Sequence, residues 1–181
     1  MGALAKEVIY TTDDIYALPD GERAELIDGK IYYMSPPNVR HQKILNYLST
    51  EINLYIRSKN GSCEVYPAPF AVFLNEDNTT YVEPDISVIC DKTKLENGRG
   101  CFGAPDWVIE IVSPSSRYMD YFTKLMKYRN AGVREYWIVD PLKNRIMVYN
   151  FEMETVEEYT FSDKVKASIY NNLEIDFSKI N

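Results

Sequence analysis

The sequence has one histidine, three cysteines and no apolar run approaching the ~20 residues that a membrane-spanning helix needs. Cys63, Cys90 and Cys101 are odd in number and lack CxxC spacing, so neither a disulfide framework nor a zinc site is expected. A reducing cytoplasm fits that usage. The stretch MGALAKEVIY lacks the basic region, apolar core and small-residue site of a signal peptide. No repeat, low-complexity tract or long linker divides the chain, and no helix-turn-helix or zinc module offers a ready reader of DNA sequence. Positive charge is also short: 20 Lys and Arg against 27 Asp and Glu give a net charge of −7. That balance excludes a generally basic nucleic-acid surface. It leaves room for an acid-lined metal site with a local basic rim.

What is present is ordinary globular composition, 45% hydrophobic and 26% charged over 181 residues, enough for one core of conventional size. One domain is expected, with an N-terminal extension over 1–37, a core over 41–141 and C-terminal strands and tail over 142–181. The extension reads as a short capped helix near 12–18, then a hairpin around Asp28-Gly29. From His41 to Arg57 the apolar residues Ile44, Leu45, Leu48, Ile52, Tyr55 and Ile56 recur at helical spacing. The β-rich stretches EVYPAPFAVFL (64–74) and YVEPDISVIC (81–90) predict an antiparallel pair across the turn-like NEDNTT. DWVIEIVS (106–113) predicts a strand, 116–132 a helix capped by Ser116 and closed by Gly132, and 134–141 a strand parallel to the previous one. Further strands are expected at 145–150 and 156–161. The fold class is therefore α/β: a mixed sheet flanked by helices, with an α-β-β-β-α-β core and the helix/hairpin extension.

Two acids stand where apolar residues are expected. In WVIEIVS, Glu110 shares a strand face with Val108 and Val112, where its ionised form needs a metal, Arg or Lys partner. In YVEPDISVIC, Asp85 follows a proline that cannot donate to a ladder. Two converging carboxylates suit Mg²⁺, which takes oxygen ligands and keeps several waters. On that reading Pro84 frees the strand from regular pairing, as at a bulge, and aims Asp85 at the ion. The plainer readings are that Asp85 ends a strand and that Glu110 sits in a structural ion pair.

The blocks ELIDGKIYYMSPP, RHQ, EPDISVIC, GAPDWVIEIVSPSS and KLMKYRNAGVREYWIVDP, in this order, resemble the PD-(D/E)XK nuclease superfamily, and within it a large bacterial group of restriction-endonuclease-like proteins. The resemblance runs through nearly the whole chain. It implies a restriction-endonuclease-like fold and a Mg²⁺-dependent endonuclease acting on DNA, with Mn²⁺ able to substitute, working as a homodimer in the cytoplasm. By the same resemblance Asp85 and Glu110 are the metal-binding acids of the motif. The motif lysine ordinarily stands two residues after the glutamate, and here that place is Val112. In this group the lysine moves to the following helix, which makes Lys124 the candidate and Lys127 the next choice.

A length estimate supports Lys124. It lies about 12 Å along the helix from Ser116, while Glu110 lies roughly 7–10 Å before the strand end. If the helix runs back along the sheet, the two are nearly level. Read alone, a helical lysine with Asp120 at i − 4 is an ordinary surface pair. His41, opening the long helix, and Glu25, in ELIDG, are additional site candidates; the plain alternatives are a capping histidine and a solvated hairpin acid. Glu135 either approaches the site or marks a strand edge, and Ser113 and Ser115 turn the chain around Pro114. The competing function is a catalytically inactive member of the fold that binds nucleic acid or a protein, which the displaced lysine makes credible. A two-carboxylate glycoside hydrolase is a third reading that the order of elements does not favour.

Overall fold

The computed structural model describes residues 8–75 and 77–180. Residues 1–7, Glu76 and Asn181 lie outside that range, and with them most of MGALAKEVIY and one residue of NEDNTT. The chain opens with a short helix α1 (Thr12–Tyr16), whose Asp14 carboxylate accepts the Thr11 amide at 2.7 Å. Strands β1 (Ala24–Ile27) and β2 (Lys30–Tyr33) form the expected hairpin. Its turn residues Asp28 and Gly29 both have positive φ, 51° and 73°, the conformation that Asp-Gly adopts in tight hairpins. The long helix α2 (Val39–Ser58) starts two residues before the expected position because Asn38 caps it, accepting the His41 amide at 2.9 Å.

The β-rich stretches that follow are both interrupted. The first gives β3 (Glu64–Pro67) and β4 (Val72–Phe73), the second only β5 (Ile86–Ile89). Residues 81 and 82 instead bridge singly to Leu26 and Val72, so Pro84 and Asp85 precede the strand and no bulge within it is needed. Prolines 67, 69 and 84 remove ladder donors where the strands break. β6 (Cys101–Phe102) pairs with β4. Then come β7 (Trp107–Ile111), a π-helical segment Met119–Lys124, helix α3 (Leu125–Ala131) and β8 (Glu135–Asp140). Gly132 ends α3 with φ 94°, as expected of a left-handed terminator. Ser116 does not cap: its hydroxyl donates to Asp120 Oδ2 at 2.6 Å. β9 (Arg145–Asn150), β10 (Thr155–Tyr159), β11 (Lys164–Lys166) and β12 (Glu174–Asp176) complete the chain.

The central sheet has the order β10-β9-β8-β7-β5-β3, with β7 and β8 parallel and every other neighbouring pair antiparallel. This is the mixed sheet the element order predicts. Strand alternation divides the core into two layers. On one face Ile86, Val88, Trp107, Ile109, Trp137 and Val139 pack against α2 and the C-terminal strands. On the other, Ile89, Val108, Val112, Tyr136 and Ile138 pack with Tyr128 of α3 and with the hairpin residue Ile27.

The cysteine reading is corrected. Cys63 and Cys90 form a disulfide, and Cys101 is free and buried. The register pairs Glu64 with Ile89, so positions 63 and 90 come next opposite one another. A separation of 27 residues does not reveal that until the strands are aligned. The expectation of a reducing compartment loses the support it drew from an absent bridge. Among the described residues no helix is long and apolar enough to cross a membrane.

Candidate active site

Glu110 is 4% exposed and projects from β7 between Val108 and Val112 into the layer shared with α3. Its Oε1 accepts from Lys124 Nζ at 2.9 Å and from the Tyr128 hydroxyl at 2.7 Å. Lys124, also 4% exposed, donates to Glu25 Oε1 at 2.8 Å and lies 4.0 Å from Asp120 Oδ1. The levels estimated for Glu110 and Lys124 therefore meet. The hairpin supplies Glu25 from β1, and the Glu83 amide fixes it at 2.9 Å. Glu83 is itself held by Arg23 Nε at 2.9 Å and by the Tyr81 hydroxyl at 2.7 Å.

Asp85 lies against the same cluster. Its amide points to Glu110 Oε2 at 3.4 Å, and its Oδ2 accepts the Ile111 amide at 2.7 Å. His41 Nε2 is 3.2 Å from that same Oδ2. The first turn of α2 thus meets the end of β7 through the Asp85 carboxylate. The structure brings together all five sequence candidates: Asp85, Glu110, Lys124, Glu25 and His41.

Other candidates go elsewhere. Lys127 pairs with Asp28 at the hairpin turn, and so does not replace Lys124. Glu135 projects to the opposite face of the sheet, where it accepts from Trp137 Nε1 at 2.6 Å and from the Ile169 amide at 2.8 Å. Ser113 and Ser116 exchange bonds, Ser113 N–H to Ser116 Oγ at 3.0 Å and Ser116 N–H to Ser113 Oγ at 3.2 Å. Ser113 Oγ also lies 3.1 Å from Ser115 Oγ, so the turn expected of Ser113 and Ser115 draws in Ser116 as well.

Sequence reasoning missed two groups. Asp120 is 1% exposed and is no surface partner of Lys124. Tyr128 is fully buried with its hydroxyl on Glu110. Both carry a signal in hindsight: Ser116, Asp120, Lys124 and Tyr128 recur every fourth residue along the helical segment, a polar row on a face that must pack against the sheet.

The electrostatics follow from burial and charge count. Burial, with the neighbouring acids Asp120, Asp85 and Glu25, pushes the Glu110 carboxyl well above its usual range against the opposing charge of Lys124. Burial likewise raises Asp120 to about 6, opposed by Lys124 and by the Ser116 hydrogen bond. For Lys124, burial favours the neutral amine, but Glu110, Glu25 and Asp120 outweigh it and hold the ammonium charged. For His41, burial is similarly overcome by the bond to Asp85 and by its charge. Four carboxylates, Glu25, Asp85, Glu110 and Asp120, face one lysine and one histidine. Were all four ionised, the cluster would lack two positive charges even with His41 protonated, and the raised Glu110 and Asp120 carboxyls relieve that excess by holding protons more tightly.

A mixed sheet that brings Asp85, just before β5, and Glu110 of β7 to a lysine from the flanking helix is consistent with the restriction-endonuclease-like fold of the PD-(D/E)XK superfamily. The chain belongs to the Uma2 family, described as "Putative restriction endonuclease", whose model matches residues 12–178. It is similar in fold to a crystal structure described as a "putative nuclease belonging to DUF820" from Anabaena variabilis ATCC 29413. That likeness has a TM-score of 0.76 at 22% identity over 94% of this chain and 96% of that one. No curated protein matches the chain.

Proposed function

We propose that this chain is a Mg²⁺-dependent endonuclease that hydrolyses DNA phosphodiester bonds, with Mn²⁺ able to substitute, and that it works as a homodimer so that two sites meet two strands. The observation that carries the reading is a buried cluster in which Asp85 and Glu110 converge and four carboxyl groups meet one lysine and one histidine. The donor set fits a hard cation: it is all oxygen, and Asp120 Oδ1 is buried with no hydrogen-bond partner among the described residues. No group of three or more His, Cys, Asp or Glu side chains among the described residues is arranged to hold a metal by itself. A cation here would use the Asp85 and Glu110 carboxylates and keep several waters, the usual habit of Mg²⁺.

When bound, the cation supplies polarisation of the phosphate and a lower pKa for the attacking water. The rest of the work falls to the chain. Ile111 N–H and His41 fix the Asp85 carboxylate, and Tyr128 anchors Glu110 through Oε1. Lys124 keeps its ammonium beside Glu110, where it orients the water or offsets the charge that builds on the scissile phosphate.

Mg²⁺-dependent nicking of supercoiled plasmid tests the reading, with Asp85→Ala and Glu110→Ala expected to abolish it. Plasmid binding that survives both substitutions, with no cleavage by the unaltered chain, would instead support a silent nucleic-acid-binding member of the fold.

A further inference from the structure

Lys124 has three N–H donors, and among the described residues two are engaged, by Glu25 and Glu110. Asp120 Oδ1 lies 4.0 Å from the same ammonium. That oxygen is buried and has no hydrogen-bond partner among the described residues. An unpartnered buried carboxylate oxygen costs free energy, so its place beside an ammonium with a third donor to give calls for an explanation.

The helix is built to keep it there. Residues four apart on an α-helix drift by about 40° per step, so over three steps a row spaced by four turns away from a strand beneath it. The stretch Met119–Lys124 is π-helical, and its wider i→i+5 turns advance less per residue. Inserted between Ser116 and Tyr128, it offsets the drift and holds Ser116, Asp120, Lys124 and Tyr128 facing the sheet. Contacts run along the row: the Ser116 hydroxyl to Asp120 Oδ2 at 2.6 Å, Asp120 beside Lys124, and Lys124 and Tyr128 both on Glu110 Oε1.

We propose that Asp120 is the positioning residue for Lys124: oriented by Ser116 through Oδ2, it presents Oδ1 as the anionic partner that keeps the lysine ammonium in the site once Glu110 turns to a cation. The catalytic use of Lys124 rests on the nuclease reading above; the hold of Asp120 on the ammonium does not. In the form described here the ammonium sits between Glu25 and Glu110. With a cation on Glu110, it closes on Asp120 without leaving the cluster.

The test uses the full-length chain and two readouts. The first needs no substrate: the ¹H–¹⁵N signal of the Lys124 ammonium, assigned by its loss in Lys124→Met, with Mn²⁺-free Mg²⁺ absent and then present. Asp120→Asn is expected to speed hydrogen exchange of that signal by about 10-fold or more with Mg²⁺ present, and Asp120→Glu to restore part of the protection. The second is plasmid cleavage, where Asp120→Asn is expected to lower kcat by about 10–100-fold, as typically follows loss of an outer partner of a metal site, with KM unchanged. Ser116→Ala, which removes only the orienting bond, is expected to give a smaller loss in the same direction. Unchanged exchange and unchanged kcat in Asp120→Asn would overturn the proposal, as would a kcat loss matched by an equal loss of folded protein. A chain that cleaves nothing counts against the nuclease reading alone, and the ammonium signal then decides the role of Asp120.

Discussion

Glu110 and Glu135 are buried acids on the neighbouring parallel strands β7 and β8, projecting to opposite faces of one sheet. Glu135 lies in the apolar layer with Trp107 and Trp137, and its carboxylate is satisfied by neutral donors, Trp137 Nε1 and the Ile169 amide. Glu110 lies in a layer with Asp120, Lys124 and Tyr128, next to Asp85. One glutamate joins the C-terminal segment to the sheet; the other belongs to a cluster of four carboxyl groups around one lysine. Burial alone does not separate the two acids; the company of other ionisable groups does.

The substitutions that break this contrast most strongly act on the cation already present. Lys124→Met leaves Glu25, Glu110 and Asp120 buried without an ammonium. Removing one member of a buried ion pair costs about 3–5 kcal/mol, so a loss of that size in urea unfolding is expected, together with loss of cleavage. A change under about 1 kcal/mol would mean that the acids are compensated in some other way. Ile109→Ala, on the same strand but the opposite face, is expected to cost about 2–5 kcal/mol by opening a cavity under α2, while plasmid cleavage per folded molecule stays near that of the unaltered chain.

Solution conditions sharpen the same comparison. Mg²⁺ at 100 times its Kd is expected to add about 2.7 kcal/mol to the unfolding free energy, and to add nothing in Glu110→Gln. Glu135 supplies the pH counterpart. Burial pushes its carboxyl from 4.5 up to about 7, against the bonds from Trp137, Ile169 and Ser168. The folded chain then holds a proton that the unfolded chain releases between those values, so stability falls as pH rises through that window. At about 1.36 kcal/mol per unit, the loss is on the order of 3 kcal/mol, and Glu135→Gln is expected to flatten that slope without affecting cleavage. Smallest in stability is Glu110→Gln. It removes a buried charge and leaves Lys124 with Glu25 and Asp120, so unfolding should change by about 1 kcal/mol or less while cleavage disappears.

Much of this layout was legible in the residues. An acid between two valines on a strand points into a packed layer, and counting residues along a strand and a helix brought Lys124 level with Glu110. The order of elements, the hairpin at Asp28-Gly29 and the end of the last helix at Gly132 followed from turn chemistry and hydrophobic spacing. Other features depended on tertiary register. The breaks at residues 68–71 and 83–85, the meeting of Cys63 with Cys90 and the reach of Glu25 across from the hairpin are set by which strands align. Asp120 was hidden for a different reason. A helical acid four residues before a lysine has the pattern of a solvated pair, and only the packing of that face against β7 turns it inward.

The account stands or falls on a divalent cation between the carboxylates of Asp85 and Glu110. The most direct measurement is the anomalous signal from a crystal of the chain soaked in Mn²⁺. A peak within coordination distance of both carboxylates, with Lys124 turned toward Asp120, is the expected result. Absence of a peak there at millimolar Mn²⁺, or one that persists unchanged in a crystal of the Asp85→Ala, Glu110→Gln double variant, would contradict it.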